Sequence, residues 1–132
     1  MPAAVSEACV LDASALLALL REEPGHEVVG EIMDGAAIST VNLAEIVANT
    51  RDRGLDVGLM LAVVRESLVE VVAFDEAMAV EAGILAAAGR RAGLSLGDAC
   101  CLALAKARAA PVYTADRAWA ALDLGVEVRL IR

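Results

Sequence analysis

Apolar positions along this chain follow two rhythms. Short, mostly apolar blocks at Val10-Leu11 with the residues just before them, Ala36-Ala37-Ile38, Val69 to Phe74, Pro111 to Thr114 and Val126 to Ile131 read as strands. Longer stretches between them repeat apolar residues at helical spacing. Ala13 to about Arg21 is the first, broken by Pro24-Gly25; His26 to Met33 follows with Val28, Val29 and Ile32, closed by Asp34-Gly35. Val41 to Arg51 carries Leu43, Ile46 and Val47 on one side. Gly54 ends that helix, and Asp56 caps the next, which runs to about Ser67. Asp75 sits where a cap belongs for an alanine-rich helix reaching about Arg91. The loop Ala92 to Gly97 leads to a helix opened by Asp98 and ending near Ala109, and Asp116 to Leu122 forms a short final helix.

Short strands alternating with helices, with no hairpin signal, describe an α/β fold: a parallel sheet covered on both faces. A length of 132 residues suits one domain, residues 1–132, with a single sizeable core. No apolar run approaches the roughly 20 residues a membrane span needs, and no basic segment precedes an apolar one at the start. A cytoplasmic protein with no membrane role is expected.

Composition removes several chemistries. Cys9, Cys100 and Cys101 have no C-x-x-C spacing and apolar neighbours, so they read as reduced, buried thiols. His26 is the only histidine and lies in the charged stretch REEPGHE, which excludes a His-rich zinc site and a Ser-His-Asp triad within the chain. Phe74, Tyr113 and Trp119 are too few to build the stacking platforms of single-strand binding modules. The 19 acidic residues outnumber 11 lysines and arginines, for a net charge of −8, which repels nucleic acid unless metal ions or local cations intervene.

Four acids stand apart by position. Asp12 ends the first strand, between two segments that belong inside, and a lone buried carboxylate there is costly without compensation. Asp116 follows the fourth strand, with Thr114 beside it. Asp98 opens a helix next to Gly97, and Glu45 lies one turn into the helix after the second strand, with Asn42 and Asn49 on its face. Singly, Asp12, Asp98 and Asp116 are ordinary helix caps and Glu45 an ordinary surface residue. If the first and fourth strands are neighbours, all four converge at the carboxyl end of one sheet. Like charges so placed call for a hard divalent cation, and oxygen-only ligands suit Mg²⁺ or Mn²⁺.

The blocks VLDASALLALL, STVNLAEI, LSLGDACCLALA and VYTADRAW resemble a PIN domain, specifically the VapC-type toxins of bacterial toxin–antitoxin pairs. The most specific part is LSLGDACCLALA, whose Asp98 is followed 18 residues later by the Asp116 of TAD. The resemblance implies a three-layer α/β/α sandwich with a five-stranded parallel sheet and an Mg²⁺- or Mn²⁺-dependent endoribonuclease. In it, Asp12, Glu45, Asp98 and Asp116 form an acidic quartet, Asp12 and Asp98 bind metal most directly, and Glu45 and Asp116 act directly or through water. Ser14, Thr114 and Asn42 would hydrogen-bond the acids or their water. Metal-activated water would attack an RNA phosphodiester in line, leaving 5′-phosphate and 3′-hydroxyl ends. Arg117, Arg90 and Arg91 are candidate contacts to the RNA backbone. A VapB-type antitoxin with a basic tail would complement the acidic surface, and the apolar excess fits a homodimer.

Other phosphoryl-transfer folds fit less well. A haloacid-dehalogenase relative needs D-x-D after the first strand, where this chain has Ser14 at the third position. A receiver domain needs a late lysine, yet the only lysine is Lys106, and no G-x-G-x-x-G marks a dinucleotide site. The non-enzymatic alternative is a PIN-like module whose acids hold only a structural metal or a partner.

Overall fold

The computed structural model describes residues 7–132. Five strands form one sheet: β1 (Cys9–Leu11), β2 (Ala36–Ser39), β3 (Glu70–Val72), β4 (Val112–Thr114) and β5 (Val128–Leu130). Their order is β3-β2-β1-β4-β5, and every pairing is parallel. The chain builds outward from β1 in one direction and returns to its other side with β4, so the strand order reverses between β1 and β4. In an open parallel sheet that reversal opens a crevice at the carboxyl ends of the strands.

Alternation along each strand divides the core into two halves. Cys9, Leu11, Ala36 and Ile38 face one layer, where they pack with Leu16, Val29, Ile46, Met60 and Val64. That layer is made by α1 (Ala13–Leu20), α2 (His26–Ile32), α3 (Thr40–Asp52) and α4 (Val57–Glu66). Val10, Ala37 and Val112 face the opposite layer, with Ala82, Leu85, Leu102, Leu104 and Trp119. There α5 (Glu76–Ala88) covers α6 (Leu96–Arg108). Every residue of α6 from Ala99 to Ala105 is buried, because the helix is enclosed between the sheet and α5. Small residues make that possible: alanines and cysteines let the helices approach closely, and each fully buried leucine adds about 1.5–3 kcal/mol.

Several elements differ from the sequence expectation in extent. β3 covers only Glu70–Val72 because it is an edge strand; beyond it the Phe74 N–H donates to Thr40 Oγ1 at 3.1 Å instead of joining the ladder. The alanine-rich helix stops at Ala88, and a 3-10 turn over Arg90–Ala92 follows. The largest correction concerns α6. It starts at Leu96 with Ser95 as its N-cap, so Asp98 lies in its first turn and Gly97 is helical rather than part of a loop. Asp56 and Asp75 cap α4 and α5 as expected, each accepting a backbone N–H three residues on. Cys9, Cys100 and Cys101 are free, buried thiols, and among the described residues no helix is long and apolar enough to cross a membrane.

Candidate active site

β1 and β4 are hydrogen-bonded neighbours, with Leu11 opposite Tyr113. The Asp12 N–H continues the ladder by donating to the Tyr113 carbonyl at 3.1 Å. This pairing brings Asp12 beside Thr114 across a chain separation of about a hundred residues. Asp12 is only 6% exposed. As N-cap of α1, its Oδ1 accepts the Ala15 N–H at 2.9 Å and the Ser14 hydroxyl at 2.6 Å. Its Oδ2 accepts the Thr114 hydroxyl at 2.8 Å.

The two hydroxyls are themselves anchored. Ser14 Oγ accepts the Ala115 N–H at 2.9 Å, and Thr114 Oγ1 accepts the Asp116 N–H at 3.0 Å. Each hydroxyl therefore grips one oxygen of Asp12 and one backbone group just beyond β4, tying the ends of both strands into one network. These donors hold the Asp12 pKa down, but burial outweighs them and, with the nearby charge of Asp98, leaves it raised above the ordinary aspartate value.

Asp98 joins from the first turn of α6 through a reciprocal cap: its N–H donates to Ser95 Oγ at 3.1 Å, and its Oδ2 accepts the Ser95 N–H at 3.0 Å. A Ser-x-x-Asp pattern ahead of an apolar run is a recognisable sign of such a cap, and Ser95 was legible there. Glu45 extends from α3, and its Oε1 accepts from Asn42 Nδ2 at 2.7 Å. Asn49 does not join Glu45; it accepts a hydrogen bond from the Arg21 guanidinium. Asn42 is buried and also donates to the Gly97 carbonyl at 3.1 Å, while its Oδ1 has no partner. Leaving such an acceptor unpaired costs about 1–3 kcal/mol, a sign that this amide was placed for its donors.

The fields of three acids meet at one atom. Cys101 is fully enclosed, and burial first, then the charges of Asp12, Asp98 and Glu45, push its thiol well above the ordinary cysteine range. Asp116 is tied to this group through its backbone, whereas its carboxylate is exposed and caps the 3-10 turn Arg117–Ala121 by accepting the Ala118 N–H at 3.0 Å. Asp12, Asp98 and Asp116 thus each accept a backbone N–H at the start of a helical turn, as their positions in the sequence suggested.

Among the described residues no ion pair joins a cation to Asp12, Glu45, Asp98 or Asp116. Cations elsewhere pair with other acids: His26 with Glu27, Lys106 with Glu81, Arg108 with Glu70, and Arg129 with Glu7 and Glu127. Oxygen donors without a cationic partner fit a hard divalent ion. The side chains are not drawn around a common point: among the described residues no three acids, histidines or cysteines stand within reach of one metal position. Arg90 and Arg91 are exposed on the turn between α5 and α6, and exposed Arg117 donates to the Arg132 carbonyl at 3.3 Å.

The PIN domain family model matches residues 9–124, which contain all four acids and the whole β1–β4 crevice. The chain belongs to the PIN domain family. Solved structures share its fold over nearly its full length. A toxin–antitoxin complex from Klebsiella pneumoniae superposes with a TM-score of 0.71 at 18% identity, covering 95% of this chain and 98% of that one. DNA-bound VapBC from Salmonella typhimurium gives 0.72 at 21% identity over 96% and 99%. VapBC-5 of Mycobacterium tuberculosis, a member of the VapBC family of toxin–antitoxin systems, gives 0.55 at 28% identity over 95% and 98%. No curated protein gives a match.

Proposed function

We propose that this PIN domain, residues 1–132, is a VapC-type toxin: an endoribonuclease that uses Mg²⁺ or Mn²⁺, acts in the cytoplasm, and is restrained by a VapB-type antitoxin. The observation that carries this reading is Asp12, a buried carboxylate at the strand-order reversal, held by neutral donors with the charge of Asp98 nearby and no ion pair to a cation among the described residues. Family membership supplies the reaction class. The VapBC relatives named above support the toxin and partner assignment.

Asp12 and Asp98 would hold the metal directly, with Glu45 and Asp116 binding directly or through water. A bound divalent ion supplies charge neutralisation at the scissile phosphate and activation of the attacking water. The protein's own contribution is orientation. Ser14 and Thr114 fix both oxygens of Asp12, and the reciprocal Ser95 cap fixes Asp98 at the start of a buried helix. Arg90, Arg91 and Arg117 contact the RNA backbone. The net charge of −8 disfavours nonspecific RNA binding and suits a basic antitoxin tail at the acidic crevice. Exposed Leu59, Val63, Val80 and Ile84 provide apolar surface for a homodimer or for the antitoxin.

The test is cleavage of total cellular RNA by the wild type, Asp12→Asn and Asp98→Asn, with Mg²⁺ or Mn²⁺ and with EDTA, followed by sequencing of the ends. Wild type with metal yields 5′-phosphate ends, and each variant or EDTA lowers the rate by about 100-fold or more, the scale of losing a principal charge-stabilising group. Equal rates in all samples would mean the acids serve a binding module without catalysis.

A further inference from the structure

We propose that Asn42 and Gly97 form a positioning pair that fixes the Glu45 carboxylate against the first turn of α6, beside Asp98. The inference rests on the nuclease reading above and adds to it a reason for the identity of two residues.

Asn42 is 2% exposed, and its amide N–H groups serve two different helices, donating to Glu45 Oε1 at 2.7 Å in α3 and to the Gly97 carbonyl at 3.1 Å in α6. Its own carbonyl receives nothing. Rotating the amide to satisfy that carbonyl would set an oxygen against the Glu45 carboxylate, so the orientation follows from the partners. Only a side chain with two donors on one atom makes both bonds from this position.

Gly97 completes the arrangement from the other side. It has no positive φ and lies in the first turn of a helix, where alanine is the better helix former. Backbone conformation therefore does not explain a glycine. Space does: a Cβ at position 97 would stand 2.8 Å from Glu45 Oε1 and 2.9 Å from both Cδ and Oε2. The carboxylate occupies the place a side chain would take, at the helix end that favours negative charge. Glu45 is an exposed residue on α3, yet its charged end is held by Asn42 and seated on α6. A Cβ at position 97 moves the carboxylate relative to Asp98 without disturbing the core, since the atoms it meets are the end of a flexible side chain. Loss of the Asn42 amide frees the same carboxylate and leaves the Gly97 carbonyl without that donor.

Gly97→Ala and Asn42→Ala test this in the full-length protein. Gly97→Ala keeps or raises the thermal midpoint while kcat for RNA falls about tenfold or more and KM stays unchanged; Asn42→Ala shows the same kcat loss. In ¹⁵N-labelled protein without metal, the Asn42 side-chain amide resonances shift on Glu45→Gln and on Gly97→Ala. Full activity of Gly97→Ala, or a loss that merely tracks a lowered midpoint, overturns the proposal. So do amide resonances that ignore both substitutions. A wild type that cleaves no RNA defeats the nuclease reading alone, and the amide resonances then decide whether Asn42 holds Glu45.

Discussion

Thr114→Val replaces a fully buried hydroxyl by a methyl of nearly the same shape and removes two short hydrogen bonds at once, together with a long 3.4 Å contact to Ser14 Oγ. The first is the donation to Asp12 Oδ2 at 2.8 Å; the second is the acceptance of the Asp116 N–H at 3.0 Å. A hydrogen bond to a charged group contributes about 1.5–3 kcal/mol, and a neutral one about 0.5–1.5 kcal/mol. The extra buried methyl returns about 0.8 kcal/mol. The net loss expected at neutral pH is about 2 kcal/mol, a fall in thermal midpoint of roughly 6–10 °C for a chain of this size. The loss depends on pH in a defined direction. Thr114 donates to the ionised carboxylate, so its benefit is present above the folded pKa of Asp12, which burial has raised, and fades as pH falls through that value. Urea unfolding of wild type, Thr114→Val and Thr114→Ser at pH 7 and near pH 4 measures this. Valine is costly at pH 7 and less so near pH 4, and serine, which keeps the hydroxyl, shows little pH dependence. A deficit below about 0.5 kcal/mol at pH 7, or an equal deficit at both pH values, would refute the claim that Thr114 acts on a buried carboxylate.

Two further outcomes follow from the same geometry. Because the Asp12 pKa is raised in the folded state, its contribution favours the fold below the ordinary aspartate value and is lost as pH rises through the folded value. Asp12→Asn therefore gains thermal stability relative to wild type as pH rises from 4 towards 8 in EDTA, and parallel curves for the two proteins would remove burial as the cause. Gly25→Ala tests the join between α2 and the last strand: Gly25 has φ of +94°, and a Cβ there would meet the Ile131 carbonyl oxygen at 2.5 Å. The left-handed backbone alone costs about 1–2 kcal/mol, so a total above about 2 kcal/mol is expected in denaturant unfolding, and an unchanged midpoint would contradict the close approach.

Much of this protein was legible locally. Apolar blocks ending on a polar residue marked all five strands, and helical spacing put Ile46 and Val47 on the inward side of α3. Asp56 and Asp75 could be assigned as caps because a cap needs only its own helix. Asp12 was conspicuous for a similar reason: a charge between two segments that must be buried is costly wherever they pack. Even Ser95 was readable, since Ser-x-x-Asp is a local signal; placing the helix start at Asp98 missed it. The rest depended on pairings the chain does not announce. Thr114 reaches Asp12 only because β4 lies against β1 and not at an edge. Asn49, in helical register with Glu45, turned instead to Arg21 on another helix. Gly97, expected as a flexible loop residue, is a helical position kept bare for a carboxylate from α3. Periodicity and capping arise from atoms a few residues apart, so sequence alone determined the elements and the inward faces of helices, while the split of strand residues between two layers came from the structure. Strand order and the α3–α6 approach arise from closing loops of tens of residues, and only the tertiary structure decided which side chains hold Asp12 and Glu45.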